Sequence, residues 1–78
     1  MRVHVKVVGP LQQYVKKPKS QWDLQEGTVV NELLNLLGFP EKIRKMPIMI
    51  LVNMKFCKSD VKLKDGDEVI LLWPVGGG

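Results

Sequence analysis

The chain has 78 residues and a formal net charge of +4, with 45% hydrophobic and 26% charged residues. This length leaves room for one small hydrophobic core, and the balance of apolar and charged residues argues against a disordered chain. The lysines are spread along the sequence without an accompanying aromatic or glycine-rich pattern. The charge is therefore typical of a solvated surface rather than of a nucleic-acid-binding stripe.

The single cysteine, Cys57, excludes an internal disulfide and a metal site built from several cysteines. The amino-terminal stretch alternates polar and apolar residues, unlike the continuous apolar segment of a signal peptide. The longest apolar runs, IMILV and VILLW, are far shorter than the roughly 20 residues of a membrane-spanning helix. We therefore expect a cytoplasmic protein without a membrane partner.

The first part of the chain predicts two strands. The sequence RVHVKVV places Val3, Val5 and Val7 on one face, which is the period of a half-buried strand, and a Gly-Pro pair ends it. The lysine-rich stretch that follows predicts a turn. A second short strand is expected at about residues 22–24.

The most regular pattern in the sequence predicts a helix. Its apolar stripe consists of Val30, Leu33, Leu34 and Leu37. Thr28 is placed to cap the first turn by accepting a hydrogen bond from a free backbone N–H. Gly38 and Pro40 end the helix, because glycine adopts the left-handed conformation and proline cannot continue the helical hydrogen bonds.

The second part predicts two more strands. Residues 47–53, PIMILVN, form a continuous apolar run that is typical of a central strand. Asp65-Gly66-Asp67 is typical of a turn, and residues 69–73 form the last strand. No histidine or further carboxylate completes a ligand set around the aspartates, so we expect no metal site.

The order strand, strand, helix, strand, strand predicts an α+β fold in which one helix covers one face of the sheet. If Val69 and Leu71 face the helix, Ile70 and Leu72 face away from it. Such an outer apolar face would either dock a partner or be covered by the segment of residues 11–19. The residues alone leave both alternatives open.

Three glycines, Gly76 to Gly78, follow the last strand. They have no side chains to pack and lose much entropy when they are ordered, which is typical of a flexible tail. Such a tail can enter a narrow cleft and present the carboxylate of Gly78 to another protein. We therefore expect residues 1–75 to form the folded domain and residues 76–78 the tail.

The sequence DGDEVILLWPVGGG resembles the end of the ThiS/MoaD family of ubiquitin-like sulfur carriers. The turn, the hydrophobic strand, the Pro-Val pair and the glycines follow in the family's order. ELLNLLGFP and ILVN resemble its helix end and its central strand, so the resemblance covers the chain from about Thr28 onward. It is strongest to the small subunit of molybdopterin synthase. Met54 stands where the family more commonly has glycine.

This resemblance implies the ubiquitin-like β-grasp fold, a mixed sheet of four to five strands covered on one face by one main helix. It implies a carrier rather than an enzyme, with no bound cofactor of its own. A MoeB/ThiF-like adenylyltransferase, related to ubiquitin-activating enzymes, would use ATP to adenylate Gly78. Sulfur would then replace AMP, and the thiocarboxylate would serve molybdopterin or thiamine thiazole synthesis. The implied acceptor is an enzyme such as the large subunit of molybdopterin synthase.

The resemblance also assigns roles to individual residues. Gly78 would carry the sulfur, while Gly76 and Gly77 would give the tail its reach. The implied partner-binding residues are Ile70, Leu72, Trp73, Pro74 and Val75. Packing against the core is an equally good interpretation of Trp73, since tryptophan is usually well buried.

Two further function classes are consistent with these residues. A ubiquitin-like modifier would be adenylated in the same way, but Gly78 would be joined to a lysine of another protein. A basic nucleic-acid-binding module would use the lysines and leave the glycines without a role. His4 is predicted to be a surface residue. Cys57 is interpreted as an ordinary thiol, although lysines nearby in sequence could lower its pKa and suit it to carrying a persulfide.

Overall fold

The computed structural model describes residues 1–73 of the chain. None of the helices in this part of the chain is long and apolar enough to cross a membrane. In chain order the elements are β1 (Arg2–Val7), a 3-10 helix (Gly9–Tyr14), β2 (Lys19–Asp23), α1 (Val30–Leu36), α2 (Glu41–Arg44), β3 (Met49–Val52), β4 (Lys55–Cys57) and β5 (Glu68–Leu72).

The strands form one mixed sheet in the order β2-β1-β5-β3-β4. The central strand, β5, is parallel to β1 and antiparallel to β3, while β2 and β4 pair antiparallel at the two edges. Because β1 and β5 are parallel, their carboxyl ends lie at the same edge of the sheet. The last strand along the chain, β5, is therefore the central strand of the sheet, and it ends at the same edge as β1.

The core lies between one face of this sheet and α1. Buried and more exposed side chains alternate along β1 and β5, and the predicted helical stripe packs on the buried set. The core side chains of these three elements are Val3, Val5, Val7, Val30, Leu33, Leu34, Val69 and Leu71. One main helix therefore covers one face of the sheet, as the sequence predicts.

The start of α1 differs from the prediction. Thr28 does not cap the helix, because its hydroxyl donates a hydrogen bond to the carbonyl of Gln25 at 2.7 Å. The first helical N–H groups, those of Val30 and Asn31, donate to carbonyls of residues 59–61 at 3.0 and 2.8 Å. Backbone pairing with a distant loop thus replaces the expected side-chain cap.

The end of α1 follows the prediction, and a second helix comes directly after it. Gly38 has a φ of 84°, the left-handed conformation expected there. Pro40 then stands at the start of α2, a single turn that buries Ile43. The sequence did not predict this helix, because four residues are too few to show a helical period.

The lysine-rich segment after β1 was predicted to be a turn and instead begins with a 3-10 helix. Leu11 of this helix is fully buried in the core, and Tyr14 packs against the core. The second strand begins earlier than the predicted residues 22–24. Residues 19–23 all pair with β1, so the strand begins at Lys19.

A two-residue turn joins β3 to β4, a short edge strand that the sequence did not predict. Asn53 and Met54 have φ values of 51° and 68°, the backbone of a type I′ hairpin turn. The side chain of Asn53 ties this turn to β5. Its Nδ2 donates to Asp67 at 2.9 Å, and its Oδ1 accepts from the N–H of Glu68 at 3.0 Å.

Candidate functional site

The outer face of the sheet, on the side away from α1, carries a continuous group of apolar side chains. Side chains alternate along a strand, so each residue next to a core residue points to this face. Pairing between strands then places such residues beside one another. We call this group the apolar patch; it consists of Met49, Leu51, Phe56, Ile70 and Leu72.

Ile70 and Leu72, the residues of β5 that are predicted to bind a partner, lie in this patch, which confirms their placement on the outer face. Ile70 stands opposite Leu51, and Leu72 stands opposite Met49. Phe56 on the edge strand stands on the other side of Leu51, and 68% of it is exposed. Apolar neighbours that cross three strands at the surface are typical of a protein-binding site.

Sequence reasoning missed three members of the patch. Met49 and Leu51 could have been found by the argument applied to β5, since Ile50 between them is buried in the core. Phe56 could not, because the strand that carries it was not predicted.

The segment of residues 11–19 does not cover the apolar patch, so this alternative is wrong. Leu11 is buried in the core on the opposite side of the sheet. Tyr14 lies on that side too, where its ring meets Trp73 edge-on with 5.7 Å between the ring centroids. The segment therefore closes the end of the core and leaves Ile70 and Leu72 at the surface.

Trp73, the last described residue, lies on the other side of the sheet from Ile70 and Leu72. It continues the alternation of Val69 and Leu71 and packs against the core. Its indole Nε1 is buried and finds no acceptor within residues 1–73. Core packing of Trp73 is thus confirmed, and its contact with a partner stays a prediction.

The remaining predicted site residues lie outside the described part of the chain. They are Pro74, Val75, Gly76, Gly77 and Gly78, whose roles in docking, reach and sulfur transfer stay predictions. The structure does describe the strand that leads to them. This strand, β5, lies in the middle of the sheet and ends beside the apolar patch.

The predicted turn before β5 is present, and its carboxylates accept hydrogen bonds from backbone N–H groups. Asp65 accepts a hydrogen bond from the N–H of Arg2 at 2.7 Å. The buried Asp67 accepts from the N–H of Lys64 at 2.7 Å and from the amide of Asn53 at 2.9 Å. Within residues 1–73, no three side chains of the kinds that bind metals come together.

The outer face also has a basic part, on β1 and β2. Lys6 stands directly opposite Lys19, and on its other side it stands opposite Ile70. We call the two lysines the basic pair. His4 lies two residues before Lys6 on the same face of β1, opposite Gln21 on one side and Glu68 on the other. Its side chain is exposed, which confirms the predicted surface position. One row across the five strands therefore passes from charged to apolar side chains: Lys19, Lys6, Ile70, Leu51 and Phe56.

Cys57 lies on the core side of β4, opposite Ile50, and is half-buried. Burial raises the pKa of its thiol above the ordinary value, and the negative charge of Asp60 raises this pKa further. The alternative that the nearby Lys55 and Lys58 lower the pKa of Cys57 is therefore wrong. A thiol with a raised pKa is a weak nucleophile near neutral pH, which favours the ordinary-thiol interpretation.

The described geometry is thus an exposed apolar group beside the end of the last strand. The sequence model of the ThiS family matches residues 5–78, which includes the tail as well as the folded part. The chain belongs to the ThiS family. A search of curated proteins gave no significant match.

Solved structures of similar proteins share the fold along nearly the whole chain. A putative molybdopterin converting factor subunit 1 of Pyrococcus furiosus is 26% identical, with a TM-score of 0.77 over 95% of this chain and 98% of that one. The complex of subunits 1 and 2 of the molybdopterin-converting factor of Helicobacter pylori contains a chain 28% identical, with a TM-score of 0.66 over 100% of both. The small archaeal modifier protein 1 of Haloferax volcanii is 20% identical, with a TM-score of 0.77 over 95% of this chain and 98% of that one. At this identity the similarity shows a shared fold alone.

These similarities confirm two predictions made from the sequence. The chain is a member of the ThiS/MoaD family, and its fold is the ubiquitin-like β-grasp. Members of this ThiS-type family are small carrier proteins or subunits.

Proposed function

We propose that this protein is a sulfur carrier whose reactive group is the carboxylate of Gly78. The observation that supports this most is the family match, which extends through residue 78. The apolar patch beside the end of β5 adds support, because a carrier must be recognised by the enzymes that act on its tail. In this proposal residues 1–75 provide recognition, and residues 76–78 provide the reacting atom.

The proposed chemistry overcomes the poor reactivity of a carboxylate, since attack on it pushes charge onto a group that is already anionic. A partner enzyme joins the Gly78 carboxylate to the AMP of ATP and releases pyrophosphate. A persulfide then attacks the acyl carbon and AMP leaves. A thiol cleaves the resulting acyl disulfide, which yields the thiocarboxylate and a disulfide on the donor. One difficult substitution is thereby divided into easier steps.

The proposed acceptor of the sulfur is an enzyme of molybdopterin synthesis. Two similar chains, 26% and 28% identical, come from molybdopterin converting factors, and the second was solved in a complex of subunits 1 and 2. An enzyme of thiamine thiazole synthesis is the alternative acceptor. We propose that the apolar patch contacts the partners, together with Trp73, Pro74 and Val75 at the base of the tail.

A ubiquitin-like modifier would use the same adenylate and differ in its product. Gly78 would end in an amide bond to a lysine of another protein, instead of a thiocarboxylate on the free chain. The similarity to the Haloferax modifier protein, at 20% identity, supports a shared fold but does not support conjugation to lysines. Intact mass separates the two products, because one adds sulfur to the free chain and the other adds a second polypeptide.

The test of the proposed function is exchange of labelled pyrophosphate into ATP, catalysed by the adenylating enzyme of the same organism. We expect exchange to depend on the full chain and to be lost when Gly77 and Gly78 are deleted. A matched control is Lys42→Gln, an exposed residue of α2, which should support full exchange. Exchange that persists with the shortened chain would contradict the proposed function, as would the absence of exchange with the full chain.

A further inference from the structure

We propose that the basic pair, Lys6 and Lys19, selects the activating partner by its charge. The partner surface would carry carboxylates beside an apolar area, so that it matches the whole outer face and not only the apolar patch. This inference rests on the proposed function for the identity of the partner. It adds the chemistry that the partner surface must have.

The first observation is a pair of like charges, neither of which forms an ion pair within residues 1–73. Lys6 and Lys19 are both exposed and directly opposite in the register of two antiparallel strands, where like charges lower stability. In the described part of the chain, the ion pairs are Arg2 with Asp23 and Lys45 with Glu41, so neither lysine of the pair takes part in one. Residues 74–78 contain no acidic side chain.

The second observation is a groove of about 460 Å³ along β1 on the outer face. Lys6 and Lys19 line it at one end, and Ile70 lies beside them on the neighbouring strand. The groove also contains one acidic side chain, that of Glu68, which lies opposite His4 and not opposite either lysine. A carboxylate entering this end could accept charge-assisted hydrogen bonds from both ammonium groups. The groove thus joins the basic pair to the apolar patch.

The third observation is that charge and apolar surface lie in one row. Ile70 has Lys6 on one side and Leu51 on the other. From β2 to β4 the row crosses four strand spacings, about 19 Å at the usual spacing of strands. A single flat partner surface can therefore contact the basic pair and Phe56 at the same time.

These three observations together favour an acidic partner surface over the other candidates. A surface without carboxylates would take two ammonium groups out of water without compensation, which penalises binding. A second copy of this chain would offer the same lysines and the same repulsion. Attraction between opposite charges would also speed the encounter of carrier and partner, and salt would weaken this effect.

The test compares two double variants with the same change in net charge. Lys6→Glu/Lys19→Glu reverses the basic pair, and Lys42→Glu/Lys62→Glu reverses two exposed lysines outside the outer face. The measured quantity is the KM for the carrier in pyrophosphate exchange by the adenylating enzyme, at low and at high salt. We expect the first variant to raise KM about a hundredfold at low salt and the control to raise it less than about threefold.

Two further measurements separate this effect from misfolding. Lys19→Glu alone replaces a like-charged pair by an opposite pair, so its melting temperature should equal or exceed that of the unchanged chain. Its KM should nevertheless rise, while kcat stays within about twofold, because the reacting tail is untouched. A lower melting temperature that accounts for the rise in KM would contradict the inference.

The inference and the proposed function fail in different ways. Equal KM values for the two double variants, or a KM of the unchanged chain that salt does not alter, would overturn the inference and leave the sulfur-carrier function standing. Absence of exchange with the unchanged chain would refute both. Binding of a single-stranded oligonucleotide that is lost on reversing the basic pair, with KM unchanged, would assign the lysines to nucleic acid and also overturn the inference.

Discussion

Leu71 and Leu72 are neighbours in the sequence but belong to opposite faces of the sheet. Leu71 is fully buried beneath α1, whereas Leu72 lies half-exposed in the apolar patch. On the core face the central strands carry only apolar residues, which pack against the helix. On the outer face the residues change from basic to apolar across the five strands. Close packing against α1 therefore restricts the core face to apolar residues. The outer face does not have this restriction, so its residues can vary to suit a partner.

The largest expected difference between the faces is in the free energy of unfolding. Leu71→Ala should lower it by about 3 kcal/mol, because it removes buried methyl groups and leaves a cavity. Leu72→Ala should lower it by about 1 kcal/mol or less, since that side chain is partly solvated already. Urea unfolding of the two variants measures this directly. Equal losses would contradict the assignment of the faces.

In adenylation by the partner enzyme, we expect the larger effect from Leu72→Ala and the smaller effect from Leu71→Ala. Leu72→Ala should raise the KM for the carrier in pyrophosphate exchange, because it removes a contact of the apolar patch. Leu71→Ala should leave KM unchanged once the value is corrected for the folded fraction. If only Leu71→Ala affected KM, the outer face would have no part in docking.

The buried Asp67 fixes the position of β5 and thereby the division between the faces. Asp67→Ala should lower the free energy of unfolding by about 2 kcal/mol, since the amide of Asn53 and the N–H of Lys64 lose their acceptor. Asp65→Ala is the matched control in the same turn. Its one hydrogen bond, from Arg2, is exposed, so we expect a loss of about 0.5 kcal/mol. Similar losses in the two variants would show that burial of Asp67 is unimportant.

Met54 tests whether the hairpin beside the outer face is strained. It has a φ of 68°, so Met54→Gly should raise the free energy of unfolding by about 1 kcal/mol. Met46 is also exposed but does not have a positive φ, so Met46→Gly should lower stability by about 0.5 kcal/mol. Thermal unfolding distinguishes the two signs. A loss of stability in Met54→Gly would show that the methionine side chain stabilises the fold by more than its positive φ destabilises it.

The smallest expected effect concerns the reactivity of Cys57, which lies on the core side of β4. Because the pKa of Cys57 is raised, iodoacetamide should alkylate it with a pH midpoint above that of the same thiol in urea. The unfolded thiol ionises first, so folding stability should fall slightly as the pH rises past about 8.5. An alkylation midpoint below that of the unfolded chain would show that folding lowers the pKa of Cys57, and would favour a reactive thiol.

The parts of the fold that were predicted are those with a clear local period. The alternation in β1 and the stripe in α1 are visible in a single window of sequence, and so is the apolar run of β3. The elements that were missed depend on distant partners or are very short. The start of α1 depends on carbonyls of residues 59–61, and β4 depends on a type I′ turn that contains no glycine.

The candidate site was predictable to the same extent. Alternation alone placed Ile70 and Leu72 on the outer face, because it concerns one strand. The meeting of Lys6 with Lys19 could not be predicted, since it depends on the register of β1 against β2. Trp73 remained ambiguous because either a core or a partner can bury an indole, and its contact with Tyr14 required the position of the 3-10 helix.

The most direct test of Gly78 as the reacting residue is the intact mass of the protein purified from its native host. We predict a species in which one oxygen of the terminal carboxylate is replaced by sulfur, with fragment ions that assign the change to Gly78. This species should disappear when the adenylating enzyme is deleted from the host. A chain whose mass is unmodified and identical in both strains would contradict the proposed function.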